Sequence, residues 1–205
     1  MSRIALPLIA LLMLAPTVGR AATAEALVLE PYPANPAWTE VTTNRQGVRF
    51  LRELIPADQT IETYRDILTA QGFPLAPGAT PSAAIQGIFL GVSSVCDGAR
   101  VNGPKASTEN GLPVAYAQVY CGRQKGKDFG VVMVFKVIQG REAMYVVQRE
   151  FRVPPSASGG VQTFSKDELP AMTARLKAQT VANDYLVRSV YVCGGGSTAP
   201  KCAGR

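Results

Sequence analysis

Histidine is absent from all 205 residues. That excludes Ser-His-Asp and Cys-His activation of a nucleophile, histidine-ligated zinc and an imidazole general base. No two cysteines are spaced Cys-x-x-Cys, which removes the redox dithiol and the zinc knuckle. No serine has a lysine three residues on, so a Ser-x-x-Lys nucleophile is missing. Neither a Gly-x-x-x-x-Gly-Lys-Ser/Thr loop nor a strand–Gly-x-Gly-x-x-Gly–helix unit marks a nucleotide phosphate site. Basic runs of five or more are lacking, so no nucleic-acid surface is expected. No cofactor and no metal site are expected either.

What is present points first to export. Arg3, the apolar run Ile4 to Ala15 and the small residues Ala22-Thr23-Ala24 have the layout of a secretory signal peptide, residues 1–24, cut before Glu25. The apolar run is shorter than the about 20 residues a membrane-spanning helix needs, and no later segment is long enough. With Arg3 and Arg20 removed, the net charge falls below the +6 of the whole chain, to an ordinary solvated surface. Cys96, Cys121, Cys193 and Cys202 form an even set in a chain leaving the cytosol, which predicts disulfides. Of the three pairings, Cys96–Cys121 with Cys193–Cys202 is preferred, because each closes a local loop.

Residues 25–37 read as an extended leader, since Pro31, Pro33 and Pro36 forbid a helix. A single domain is expected over 38–193, with a glycine-rich tail over 194–205. Residues 38–54 suggest a hairpin turning at Asn44 to Gly47. Ile61, Tyr64 and Leu68 recur at helical spacing, which predicts a helix over 58–71 capped by Gly72. Thr80 before Pro81 opens a second helix, over 81–96. The Gly and Pro content of 97–113 predicts a long irregular loop. Strands follow at 114–121, 129–138 and 143–153, the middle one apolar enough to be buried on both faces. Ser165 and Glu168 form a capping box for a third helix over 166–183, and 186–193 reads as a last short strand.

Three residues are candidate contacts for a ligand or partner: Arg149, Trp38 and Tyr145. On the strand 143–153, Arg149 shares a face with Tyr145 and Phe151, while Gln148, Glu150 and Arg152 share the other. Arg149 is read as a buried guanidinium paired with an acid, as an anion-binding group in a pocket, or as a stem lying on the sheet with its head in water. Trp38, the sole tryptophan, is read as a plug at the edge of the core or as a stacking platform. The carboxylate pairs Glu62/Asp66 and Asp167/Glu168 are assigned to surfaces and a helix start rather than to catalysis. The turn holding Arg123, Lys125 and Lys127 is read as solvated, with an anionic partner or lipid head groups as the alternative.

The run Phe50-Leu51-Arg52-Glu53-Leu54-Ile55-Pro56-Ala57-Asp58-Gln59-Thr60, with Tyr64 and Gln71 beyond, resembles a strand–helix unit of uncharacterised exported proteobacterial proteins. The run Val137 to Arg149 resembles their central hairpin. The order of elements is also similar to the PsbP-type α/β sandwich. These resemblances imply no activity and lend no site residues. The fold class expected is α+β: an antiparallel sheet of about five or six strands packed with about three helices. The expected function is a non-catalytic periplasmic or secreted protein of a Gram-negative envelope that binds a protein partner or envelope component. A small-ligand carrier with a pocket between sheet and helices is the alternative, and a carboxylate or Ser/Lys hydrolase a third.

Overall fold

The computed structural model describes residues 24–32, 37–156 and 166–203. The signal segment, Pro33, Pro36 and Ser165 of the expected capping box lie outside them. Among these described residues nine strands and two α-helices follow in the order β1 (Ala26–Leu29), β2 (Trp38–Gln46), β3 (Arg49–Pro56), β4 (Asp66–Pro74), α1 (Pro81–Val95), β5 (Cys96–Glu109), β6 (Leu112–Gln124), β7 (Gly130–Gln139), β8 (Ala143–Val153), α2 (Leu169–Ser189) and β9 (Val190–Cys193). Seven strands form one antiparallel sheet in the order β2-β3-β4-β8-β7-β6-β5, and β1 pairs with β9 in a separate ribbon.

This corrects the expectation of five or six strands and three helices. The helix expected over 58–71 does not form. Residues 57–65 are turns, and β4 begins at Asp66. Ile67 and Thr69 face one side of β4 and Leu68 and Ala70 the other, and all four are buried. Burial on both faces removes the period-two signal that marks a strand, and apolar residues then match a helical period by chance. Gly72 caps no helix: a Cβ there would collide with the Phe50 ring, which crosses the strand.

The loop expected over 97–113 is also strand. β5 is an edge strand whose ladder slips between Asn102 and Lys105, so Gly103 and Pro104 sit in a bulge. Edges tolerate what central strands cannot. Asn110 and Gly111, at φ 52° and 80°, make the two-residue turn into β6. Near the other end, α2 runs past Asn183 to Ser189 and shortens the last strand to four residues.

The sheet has two differently covered faces. One meets α2 and the β1–β9 ribbon over a core holding Leu68, Val134, Val147, Tyr185 and Leu186. On this face the buried Lys136 reaches the Glu109 carboxylate at 2.7 Å and the Val190 carbonyl at 2.8 Å, tying the end of α2 to the sheet. The other face meets α1 over Ile85, Val119, Phe135 and Val137. Thr80 caps α1 through its hydroxyl, which accepts from the Ala83 N–H at 3.2 Å, and Pro81 follows at the first turn. β7 is buried along nearly its whole length because both cores use it.

Cys96 is bonded to Cys121, linking the end of α1 to β6, and Cys193 to Cys202, folding the tail back on β9. The Glu25 carboxylate accepts from the Arg141 N–H at 2.6 Å and the Ala143 N–H at 3.3 Å. It lies against Gly140 and Gly195, where any Cβ would displace it.

Candidate functional site

Arg149 lies at the centre of the α2 face, 2% exposed. The β4–β8 register sets Leu68 opposite Arg149 and Asp66 opposite Phe151, so the Asp66 carboxylate reaches back one step to the guanidinium. The pair is bidentate, with Nε donating to Oδ1 at 2.8 Å and Nη2 to Oδ2. Tyr32 and Trp38 close over the same group at 4.1 and 4.2 Å from ring centroid to guanidinium carbon, and Phe151 stands at 5.1 Å. Tyr32 also meets Tyr185 of α2 edge-on at 4.8 Å. Burial raises the Asp66 pKa above its ordinary value, although Arg149 pulls it down.

Of the three readings of Arg149, the geometry is that of a buried guanidinium paired with an acid. Asp66 is therefore not the surface acid on a helix that its sequence position suggests. Trp38 is half-buried and covers Arg149, and Tyr145 is buried beneath Phe50 at 6.2 Å between ring centroids. All three serve one face. They fasten the leader, the sheet and α2 together.

The opposite face is only half covered. α1 lies over β5, β6 and β7, and the turns at 57–65 lie over the far ends of β4 and β8. Between them runs a trough across β8, β4 and β3. Its larger hollow, about 420 Å³, lies between α1 and β4/β8, with Phe73, Ala83, Ile88 and Met144 among its walls and Gln71 and Gln148 in its floor. A second hollow of about 310 Å³ continues toward β2 and shares Gln71 and Phe73 with the first. It adds Asn44, Gln46 and Arg49.

The register explains this floor. Val146 pairs with Gln71, Gln71 with Leu51, and Leu51 with Asn44, so one row crosses four strands on one face. The alanines of α1 that face it keep the hollow open. The Gln71 and Gln148 carboxamides, both partly buried, bond to no protein group among the described residues. Phe73 is 41% exposed where the two hollows meet. Each carboxamide offers a donor and an acceptor inside a mostly apolar channel. That suits recognition and supplies no nucleophile or general base.

The turns at 57–65, which are not among the residues lining either hollow, are held against this face by β8. Arg152 stacks on Tyr64 at 3.7 Å and Phe129 at 4.5 Å, and its Nη1 donates to the Glu62 carbonyl at 3.2 Å. Tyr64 donates its hydroxyl to Glu150 at 2.9 Å. Burial raises the Glu150 pKa, with Glu53 and Asp66 adding to it, and Tyr64 and Arg152 opposing it. Among the described residues no three potential ligands gather as a metal site would require. Asp167 is exposed, and the Arg123–Asp128 turn is exposed apart from Gln124, with Lys125 donating to the Ser94 carbonyl at 3.0 Å.

The trough residues Gln71, Phe73 and Arg49 were not candidates from sequence. Glutamines carry no motif, and strand pairing alone brings these positions together. The one legible sign was Gln148, on the polar face of the 143–153 alternation.

Neither a known protein family nor a curated protein matches the chain. Among solved structures it is similar to LpqN, a protein involved in cell envelope biogenesis of Mycobacterium tuberculosis. Identity is 14% and the TM-score 0.46, over 85% of this chain and 87% of that one. A likeness this distant carries neither activity nor partners across.

Proposed function

We propose that this is an exported binding protein of an extracytoplasmic compartment, periplasmic or secreted, and that its trough takes a small, largely apolar ligand. The observation that carries the reading is the trough itself: apolar walls around two carboxamides that no group among the described residues satisfies. Half-buried polar groups without partners lose less in a complex that bonds them than in a dry apolar one. The two disulfides support the setting, because such bonds persist where thiols are not kept reduced. Nile red, an uncharged apolar dye, tests the site. It should bind the mature protein with a fluorescence rise, and Ala83→Trp, which fills the hollow from the exposed side of α1, should suppress that rise. Equal binding to both proteins refutes the trough reading.

A second reading has its own observation. α1 carries no charged residue, and Leu90 is 69% and Val95 48% exposed on it. An uncharged, exposed helix face fits a protein partner or envelope component. A photo-crosslinker placed at Leu90 in the native envelope should give a discrete adduct; a protein that crosslinks no more there than at Lys201 has no partner on this face.

A further inference from the structure

The geometry points to an anionic amphiphile as the ligand: one apolar chain ending in one acidic head group. This inference rests on the trough reading and names what the trough selects. Among the described residues lining the two hollows, Arg49 is the sole ionisable one. It is exposed, and no acidic side chain pairs with it among the described residues. Its neighbours behave differently. Arg52 pairs with Glu40, Arg149 with Asp66, and Arg45 lies over Phe50 at 5.0 Å.

The trough is therefore graded along its length. Under α1 the walls are Ala83, Ile88 and Met144, with no charge at all. At the β2–β3 end the lining turns to Asn44 and Gln46 beside a free guanidinium. Phe73 and Gln71 belong to both hollows and join them. An acyl chain lying beneath α1 would bury apolar surface where a charge would be costly. Its acidic head would then reach Arg49, whose planar fork matches a carboxylate or phosphate. The amide groups beside it can bond the remaining head-group oxygens. A neutral apolar molecule fills the first hollow and leaves Arg49 unused, and a small polar anion uses Arg49 and leaves the first hollow unfilled.

The test compares dodecanoate, dodecyl phosphate and 1-dodecanol, each below its aggregation limit, by isothermal titration against the mature protein. Both anions should bind more tightly than the alcohol, and their order tells a carboxylate head from a phosphate one. Arg49→Gln should weaken both anions by about tenfold, the scale of one charge-assisted hydrogen bond, and leave the alcohol unchanged. Lys127→Gln, which removes the same charge far from the trough, should change none of the three. Ala83→Trp should weaken all three. If the alcohol binds as tightly as the anions, or Arg49→Gln has no effect, the head-group assignment is overturned while the trough stands. If Ala83→Trp affects no probe, the trough reading itself falls.

Discussion

Arg149 and Arg152 stand three residues apart on β8 and point to opposite faces of the sheet. Both stack on aromatic rings, and each leaves one buried nitrogen without a hydrogen bond, Nη1 in Arg149 and Nε in Arg152. They differ in what answers the charge. Arg149 has a carboxylate, three rings and α2 around it, and that face is closed. Arg152 has two rings, one backbone carbonyl and the attraction of Glu150 without a direct ion pair, and holds a stretch of turns on the half-covered face. The lesson concerns architecture. A buried ion pair is worth building where several elements must be drawn together, whereas stacking suffices to hold one stretch of turns against a sheet face.

That contrast sets the order of expected effects. Arg149→Ala leaves the half-buried Asp66 unanswered and removes the guanidinium that three rings pack on, so it should cost about 3 kcal/mol or more in urea unfolding. A cost no larger than that of the Arg152 variant would abolish the distinction between the faces. Serine at Cys96 and Cys121, spaced 25 apart, should cost about 3.5 kcal/mol, and serine at Cys193 and Cys202, spaced 9 apart, about 2.7. Calorimetry of the two double variants gives the ranking, and a reversed order means that the tail, not α1, depends more on its bond. Arg152→Met should cost about 1–2 kcal/mol through lost stacking and should expose the turns at 57–65 to proteolysis before global unfolding.

The smallest effect is a dependence on pH. The Glu150 pKa is raised in the fold by burial above the ordinary 4.5. A raised carboxyl binds a proton more tightly in the native state. The stability it contributes is complete below its unfolded pKa and is lost as pH rises through the folded one. Glu150→Gln, a permanent stand-in for the protonated form, should melt higher than the wild type at pH 7 and together with it below about pH 4. A variant that instead melts below the wild type at pH 7, with the difference closing toward acid, shows that ionised Glu150 stabilises the turns at 57–65.

Local chemistry was legible where it was complete within a few residues. Thr80-Pro81 opens α1, the apolar run at 130–139 lies at the centre of the sheet, and the alternation over 143–153 separates Arg149 from Arg152. β4 was lost because residues buried on both sides carry no alternation. β5 was lost because its glycines and proline read as loop, although Asn110-Gly111 between two segments is a strong hairpin signal. The trough escaped for a different reason. Arg49, Gln71 and Gln148 come from three strands, and their adjacency exists only once β3, β4 and β8 have paired.

The β1–β9 ribbon joins the first described strand to the last, with Ala26 opposite Cys193 and Leu29 opposite Val190. Neither strand has another neighbour, so the consequence is one of timing. In a chain that emerges amino end first, Ala26 to Leu29 must wait, apolar and unpaired, until Val190 to Cys193 have followed. The large sheet can assemble in that interval from hairpins that need only nearby partners. Closing the ribbon is then a late event, and a product cut short anywhere before Val190 keeps Ala26–Leu29 as an exposed, sticky strand.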